Sequence, residues 1–147
     1  MKKILFVCTG NTCRSPMAAA ILRQKAEEKG RNIEVDSAGI FAFAGDKASK
    51  EAIEVLKEKE IDISSHRSKL VTDEVLEEAD LVLTMTKSHK ETLLLKHPSV
   101  EEKIYTLKEY TYGIDRDVFD PYGQGLRAYK DVEEELSDAL EKIVEKI

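Results

Sequence analysis

The stretch Lys3-Ile4-Leu5-Phe6-Val7-Cys8-Thr9-Gly10-Asn11-Thr12-Cys13-Arg14-Ser15-Pro16 decides how the chain folds. Lys3 to Val7 is an unbroken run of strand formers, the pattern of a strand covered on both faces in a parallel sheet. A loop containing Gly10 follows. Ser15-Pro16 then reads as an N-cap followed by proline at the first helical position, and Met17 to Lys29 has helix-forming composition closed by Gly30. Strand, loop and helix are laid end to end, and the next strand-like run, Ile33 to Ser37, completes a strand-helix-strand unit that turns at Ala38-Gly39.

The same alternation continues outward. Ser49 to Lys59 sets Ala52, Ile53 and Leu56 at helical spacing, with Ile61 following. Asp73 to Glu78 reads as a short helix capped by Thr72, and Leu81 to Met85 as another buried strand. Lys87 to Lys96 is helical and stops at His97-Pro98, and Ile104 to Leu107 is a fourth strand. From about Arg127 to the end, Tyr129, Val132, Leu136, Leu140, Ile143, Val144 and Ile147 trace one apolar face. The expected class is α/β, with a short four-stranded parallel sheet flanked by helices on both faces. Ligands of such sheets bind outside the carboxyl ends of the strands, where the loop from Cys8 to Ser15 sits.

With 147 residues, of which 41% are hydrophobic, one core and therefore one domain over residues 1–147 is expected. The apolar run at the N-terminus is too short for a signal peptide, and no stretch approaches membrane-spanning length, so a cytoplasmic protein without a membrane partner is expected. The only two cysteines, at 8 and 13, suit free thiols better than a disulfide framework. A net charge of −6 and the absence of tryptophan argue against nucleic acid as a partner. Any anion site must be local.

The loop itself supplies one. Successive N–H groups can converge into a nest, and the following helix adds positive potential at its N-terminus. Both favour a thiolate at Cys8, whose pKa is expected to fall from about 8.5 into the roughly 3.5–7.5 range of such settings. The same donors suit three equatorial phosphoryl oxygens, and the planar guanidinium of Arg14 can hold two of them at once, which lysine could not. Cys8 is then placed to attack phosphorus in line. The plainer alternative, a buried cysteine ending a strand, leaves Arg14 and the helix start without a reason.

Val7-Cys8-Thr9-Gly10-Asn11-Thr12-Cys13-Arg14-Ser15-Pro16 and the distant Asp120-Pro121-Tyr122 together resemble the low-molecular-weight protein phosphatases, a family that includes tyrosine phosphatases and bacterial protein-arginine phosphatases. The resemblance spans essentially the whole chain. It implies a cysteinyl-phosphate intermediate, no metal or other cofactor, phosphorylated proteins as partners, and a monomer. By motif match, Cys8, Arg14 and Asp120 are the catalytic residues, and Thr9, Gly10, Asn11, Thr12, Cys13 and Ser15 form the phosphate loop. Asn11 would hold the loop in shape, Ser15 would stabilise the thiolate, and Ser37 would brace the loop. His66, in Ser65-His66-Arg67-Ser68, is expected to be structural. Asp117 reads as surface charge. The family also implies a reversible Cys8–Cys13 disulfide, against which stands an unpaired loop thiol at Cys13.

Substrate choice turns on Thr12, where tyrosine phosphatases of the family usually carry a larger aliphatic residue and the arginine branch resembles this chain. Gly123, in place of a second aromatic, and Met85-Thr86 point the same way, while Tyr122 keeps phosphotyrosine open as the alternative. Phe41 and Tyr122 are expected at the pocket rim, with the core as the other place for Phe41. A thiol-based arsenate reductase of the same fold needs later cysteines, and none follows Cys13. A phosphopeptide-binding module needs neither Cys8 nor Asp120, and pure redox sensing by Cys8 and Cys13 is told apart by whether phosphatase activity exists in reducing buffer.

Overall fold

A computed structural model describes residues 2–147. Four strands form one parallel sheet: β1 (Lys2–Cys8), β2 (Ile33–Gly39), β3 (Leu81–Thr84) and β4 (Ile104–Thr106), in the order β2-β1-β3-β4. Between and after them run α1 (Arg14–Glu28), α2 (Lys50–Lys57), α3 (Asp73–Glu78), α4 (Lys87–Lys96), a 3-10 turn (Pro98–Lys103), α5 (Leu107–Tyr112) and α6 (Leu126–Lys146).

The period of two along β1 sorts the core into layers. Ile4, Phe6 and Cys8 pack with Met17 and Leu22 of α1, Leu56 of α2, and Tyr129, Leu136 and Leu140 of α6. Leu5 and Val7 face the other way, against Leu76 of α3, Leu93 of α4 and Val100. The chain leaves β1 in one direction to reach β2 and in the other to reach β3, so the β1/β3 boundary is the topological switch point. There the loops after two neighbouring strands part and leave a crevice. The loop after β1 starts at Thr9, and the loop after β3 is Met85-Thr86, leading into α4.

Three local expectations are corrected. Ser15 does not cap α1: the helix begins at Arg14, Cys13 stands at the cap position without a side-chain hydrogen bond, and Ser15 lies inside the first turn, fully buried. Ala38-Gly39 is not a turn, because β1 extends far enough for Val7 to pair with Ala38 and Cys8 with Gly39. Leu107 ends no strand. Thr106 and Glu109 form a reciprocal capping box that starts α5 at Leu107, a signal that the apolar run Ile104 to Leu107 masks.

Among the glycines, Gly39 lies closest to other backbone. A Cβ built on it would lie 2.6 Å from the carbonyl oxygen of Thr9 and 2.9 Å from the amide nitrogen of Asn11. Neither can yield without moving the loop. We predict that Gly39→Ala lowers stability by about 1–3 kcal/mol and also displaces the loop. A thermal melt measures the first effect, and the affinity for inorganic phosphate measures the second. Unchanged phosphate affinity would show that the strain is relieved elsewhere.

Candidate active site

The loop from Cys8 to Ser15 is held from several parts of the chain. Asn11 is its pivot. It is fully buried, with φ of 57°, a left-handed conformation for which asparagine is one of the better-suited non-glycine residues. Its Nδ2 donates to Ser15 Oγ (2.8 Å) and Ser37 Oγ (2.9 Å), and its Oδ1 accepts from the amide of Lys69 (3.1 Å). Its carbonyl oxygen accepts from Ser68 Oγ and His66 Nε2, each at 2.8 Å. A carbonyl only accepts, so Nε2 of His66 carries the proton. Burial is the main force holding His66 below the ordinary histidine pKa.

Cys8 lies at the end of β1, nearly fully buried, with Ser15 Oγ 2.8 Å from its sulfur. Because Ser15 Oγ already accepts from Asn11, its own proton is free to donate to the sulfur. Asn11, Ser15 and Cys8 thus form one directed chain ending on the sulfur, with Ser37 a second acceptor of the same Asn11 amide. The N–H groups of residues 10–13 donate to no backbone carbonyl among the described residues, so they remain available to an anion. The carbonyl of Thr12 accepts from the amide of Ser49, the residue that caps α2.

Arg14 is 4% exposed. Its Nη1 donates to the carbonyl of Val118 (2.9 Å), and its Nη2 lies 3.7 Å from Asp120 Oδ2. A guanidinium this buried needs partners, and the two it finds lie on the segment that carries the acid. That segment is anchored elsewhere too. The amide of Val118 donates to the carbonyl of Met85, and Asp117, exposed at the surface, accepts from the amide of Lys87 at 2.9 Å. Asp120 stays more than half exposed and accepts from the amide of Tyr122.

Cys8, Thr9, Gly10, Thr12, Cys13, Arg14, Asp120 and Tyr122 line one cleft of about 230 Å³. The nucleophile candidate, the fixed cation and the acid candidate therefore share a chamber large enough for a phosphorylated side chain. Phe41 is not among its lining residues. It lies outside the core with its ring 5.3 Å from Lys96 Nζ. Met85 and Thr86 do not line it either: Met85 is fully buried, and Thr86 caps α4 by accepting from the amide of His89. Gly123 has φ of 75° at the third position of a turn closed by the amide of Gln124 on the carbonyl of Pro121. That conformation selects glycine without reference to substrate.

Both cysteines are free thiols. Cys13 Sγ is 3.2 Å from the hydroxyl of Tyr129 and 3.6 Å from Ser49 Oγ. Burial and this contact push the Tyr129 hydroxyl pKa above its ordinary value. Sequence reasoning missed Tyr129 as a loop contact because it reads as one more residue of the apolar face of α6. It also missed His89. Nothing in Thr86-Lys87-Ser88-His89 marks a site residue until the fold brings His89 Nε2 to 2.8 Å from Thr9 Oγ1.

The model of the family described as low molecular weight phosphotyrosine protein phosphatase matches residues 3–147. The chain belongs to this family. Among its relatives, the protein-arginine-phosphatase of Bacillus subtilis (strain 168) is 44% identical over 144 residues, which is 98% of this chain and 95% of the relative. A crystal structure of a YwlE mutant from Bacillus subtilis superposes with a TM-score of 0.97 at 43% identity, covering 99% of this chain and 98% of that one. The low molecular weight protein tyrosine phosphatase from T. tengcongensis superposes with a TM-score of 0.96 at 50% identity, covering all of both chains. Low molecular weight phosphatases of two named specificities thus share this fold.

Proposed function

We propose that the protein is a single-domain, cysteine-dependent phosphatase that hydrolyses phosphoarginine in phosphorylated proteins. The observation that carries this reading is the lining of the cleft. Thr12 stands beside Cys8 and Arg14, no aliphatic side chain joins them, and the only aromatic is Tyr122, largely exposed at the mouth. A hydroxyl on the wall offers a hydrogen bond to a guanidinium and gives a phenyl ring little to pack on. Relatives named protein-arginine-phosphatase support the same substrate. The two free thiols support a cytoplasmic setting.

In the first step Cys8 Sγ attacks phosphorus, the P–N bond to the guanidinium breaks, and Asp120 delivers its proton to the departing nitrogen. The charge on the three equatorial oxygens is met by the free loop N–H groups and by Arg14. In the second step Asp120, now ionised, takes a proton from water as it attacks phosphorus, the S–P bond breaks, and phosphate leaves with the thiolate restored. One solved relative is a YwlE arginine phosphatase mutant with a phosphorylated active site serine, which supports phosphoryl transfer to the side chain at the end of the first strand.

Phosphotyrosine is the second reading, favoured by Tyr122 and by the tyrosine phosphatase that is 50% identical to this chain. The test is kcat/KM of the reduced protein on a phosphoarginine peptide and on a matched phosphotyrosine peptide. We expect arginine preference in the native chain, and Thr12→Ile to shift the ratio toward phosphotyrosine by about tenfold or more. Tyrosine preference in the native chain would overturn the substrate assignment and leave the mechanism standing.

A further inference from the structure

We propose that His89 is a positioning residue of this reaction: its ring ties Thr9 to the turn that also holds the acid segment, and so fixes the spacing between Cys8 and Asp120. The proposal rests on the phosphatase reading and adds to it a brace that spans the switch-point crevice.

The turn from Met85 to His89 touches both sides of the chemistry. On one side His89 Nε2 meets Thr9 Oγ1 at 2.8 Å, one residue beyond the nucleophile. On the other, the amide of Lys87 donates to Asp117 Oδ1 and the carbonyl of Met85 accepts from the amide of Val118. The turn is itself rigid, because Thr86 caps α4 through the amide of His89 and its carbonyl accepts from Thr84 Oγ1. The backbone at Thr9 is held from the segment just after β2 through the amide of Phe41, so His89 is what secures its side chain on the side facing β3.

Stability does not account for a histidine at this place. His89 is 8% exposed, and its Nδ1 is buried without a hydrogen-bond partner among the described residues. An apolar ring would fill the same volume with no unsatisfied atom. What it would lose is the bond to Thr9. The ring is neutral: burial first, and the positive charge of Arg14 second, push its pKa to about 4 against the opposing pull of Asp117 and Asp120. A neutral imidazole makes one directed hydrogen bond to Thr9 without adding a second cation beside the phosphoryl group that Arg14 binds.

A brace of this kind predicts a specific defect. If the phosphate loop keeps its shape while the acid drifts relative to it, substrates with poor leaving groups suffer and those with good ones do not. The proteins to compare are the native chain, His89→Gln, His89→Phe, Thr9→Val and the double variant. Their kcat/KM, which reports phosphoryl transfer to Cys8 and not the hydrolysis common to all substrates, is measured on phenyl phosphate and on p-nitrophenyl phosphate, with inorganic phosphate as competitive inhibitor. We expect His89→Phe to lose about tenfold to a hundredfold in kcat/KM on phenyl phosphate and about threefold or less on p-nitrophenyl phosphate, with phosphate inhibition unchanged. His89→Gln, whose amide nitrogen can reach the position of Nε2, should recover most of the loss. The double variant should be no worse than either single one.

Equal losses on both substrates, a parallel loss of phosphate inhibition, or unaltered rates in folded variants would overturn the brace. Should His89→Phe fail to fold, Thr9→Val removes the same bond from the exposed side and must show the same leaving-group pattern. Native protein without turnover that depends on Cys8 would overturn the phosphatase reading itself and this proposal with it.

Discussion

Cys8→Ser removes hydrolysis, by at least about four orders of magnitude in kcat, while inorganic phosphate still binds. The reason lies in how the sulfur is held. Ser15 Oγ donates to it at 2.8 Å and is itself oriented by Asn11, so the surroundings suit an anion at that atom. A thiol reaches the anionic state readily near neutral pH, whereas an alcohol does not, and the serine oxygen is also the poorer leaving group in the second step. The anion nest is untouched, because the loop N–H groups and Arg14 do not depend on the sulfur. Isothermal titration with phosphate should therefore give affinity within about threefold of the native chain. Mass spectrometry of the variant after exposure to substrate should find any retained phosphoryl group on residue 8. Turnover at the native rate would end the covalent mechanism.

Asp120→Ala is expected to lower kcat/KM, which reports the first step, on phosphoarginine and phenyl phosphate by about two to four orders of magnitude, and far less on p-nitrophenyl phosphate. Asp120 is the only carboxylate lining the cleft, and its Oδ2 is 3.7 Å from Arg14 Nη2. Removing it costs both the proton donor and one of the two groups that engage the guanidinium. The second contribution is the smaller, since Val118 still accepts from Nη1. The leaving group separates them: loss of the acid slows poor leaving groups selectively, whereas a merely displaced Arg14 slows all substrates alike. A uniform loss on good and poor leaving groups would assign Asp120 to substrate binding.

Much of this was legible in the chain because the relevant signals are local. A buried strand, a loop with glycine and a helix start declare themselves within fourteen residues, and the apolar face of α6 repeats often enough to be unmistakable. The loop contacts that involve Asn11, Ser15 and Ser37 follow the family motif, and the structure brings those atoms within hydrogen-bond distance. What the chain concealed are contacts between residues far apart that carry no pattern of their own. Tyr129 reads as packing until its hydroxyl is found against Cys13, 116 positions away. His89 reads as one polar residue on a helix until β3 is placed beside β1. At Gly123 the chain concealed a second reason for the residue: beside the substrate preference its absent side chain suggested, its backbone angle gives a local reason for glycine.

The supports of the phosphate loop are spread along the whole chain: Ser37, Ser49, His66, Ser68, Lys69, His89, Val118 and Tyr129 all reach back to it. Synthesis runs from N- to C-terminus, so the segment that carries Cys8 leaves the ribosome before every one of these supports and acquires its working shape only after them. That shape is finished only when α6 docks and brings Tyr129 against Cys13, which makes the readiness of the loop depend on the folding of all the segments that hold it.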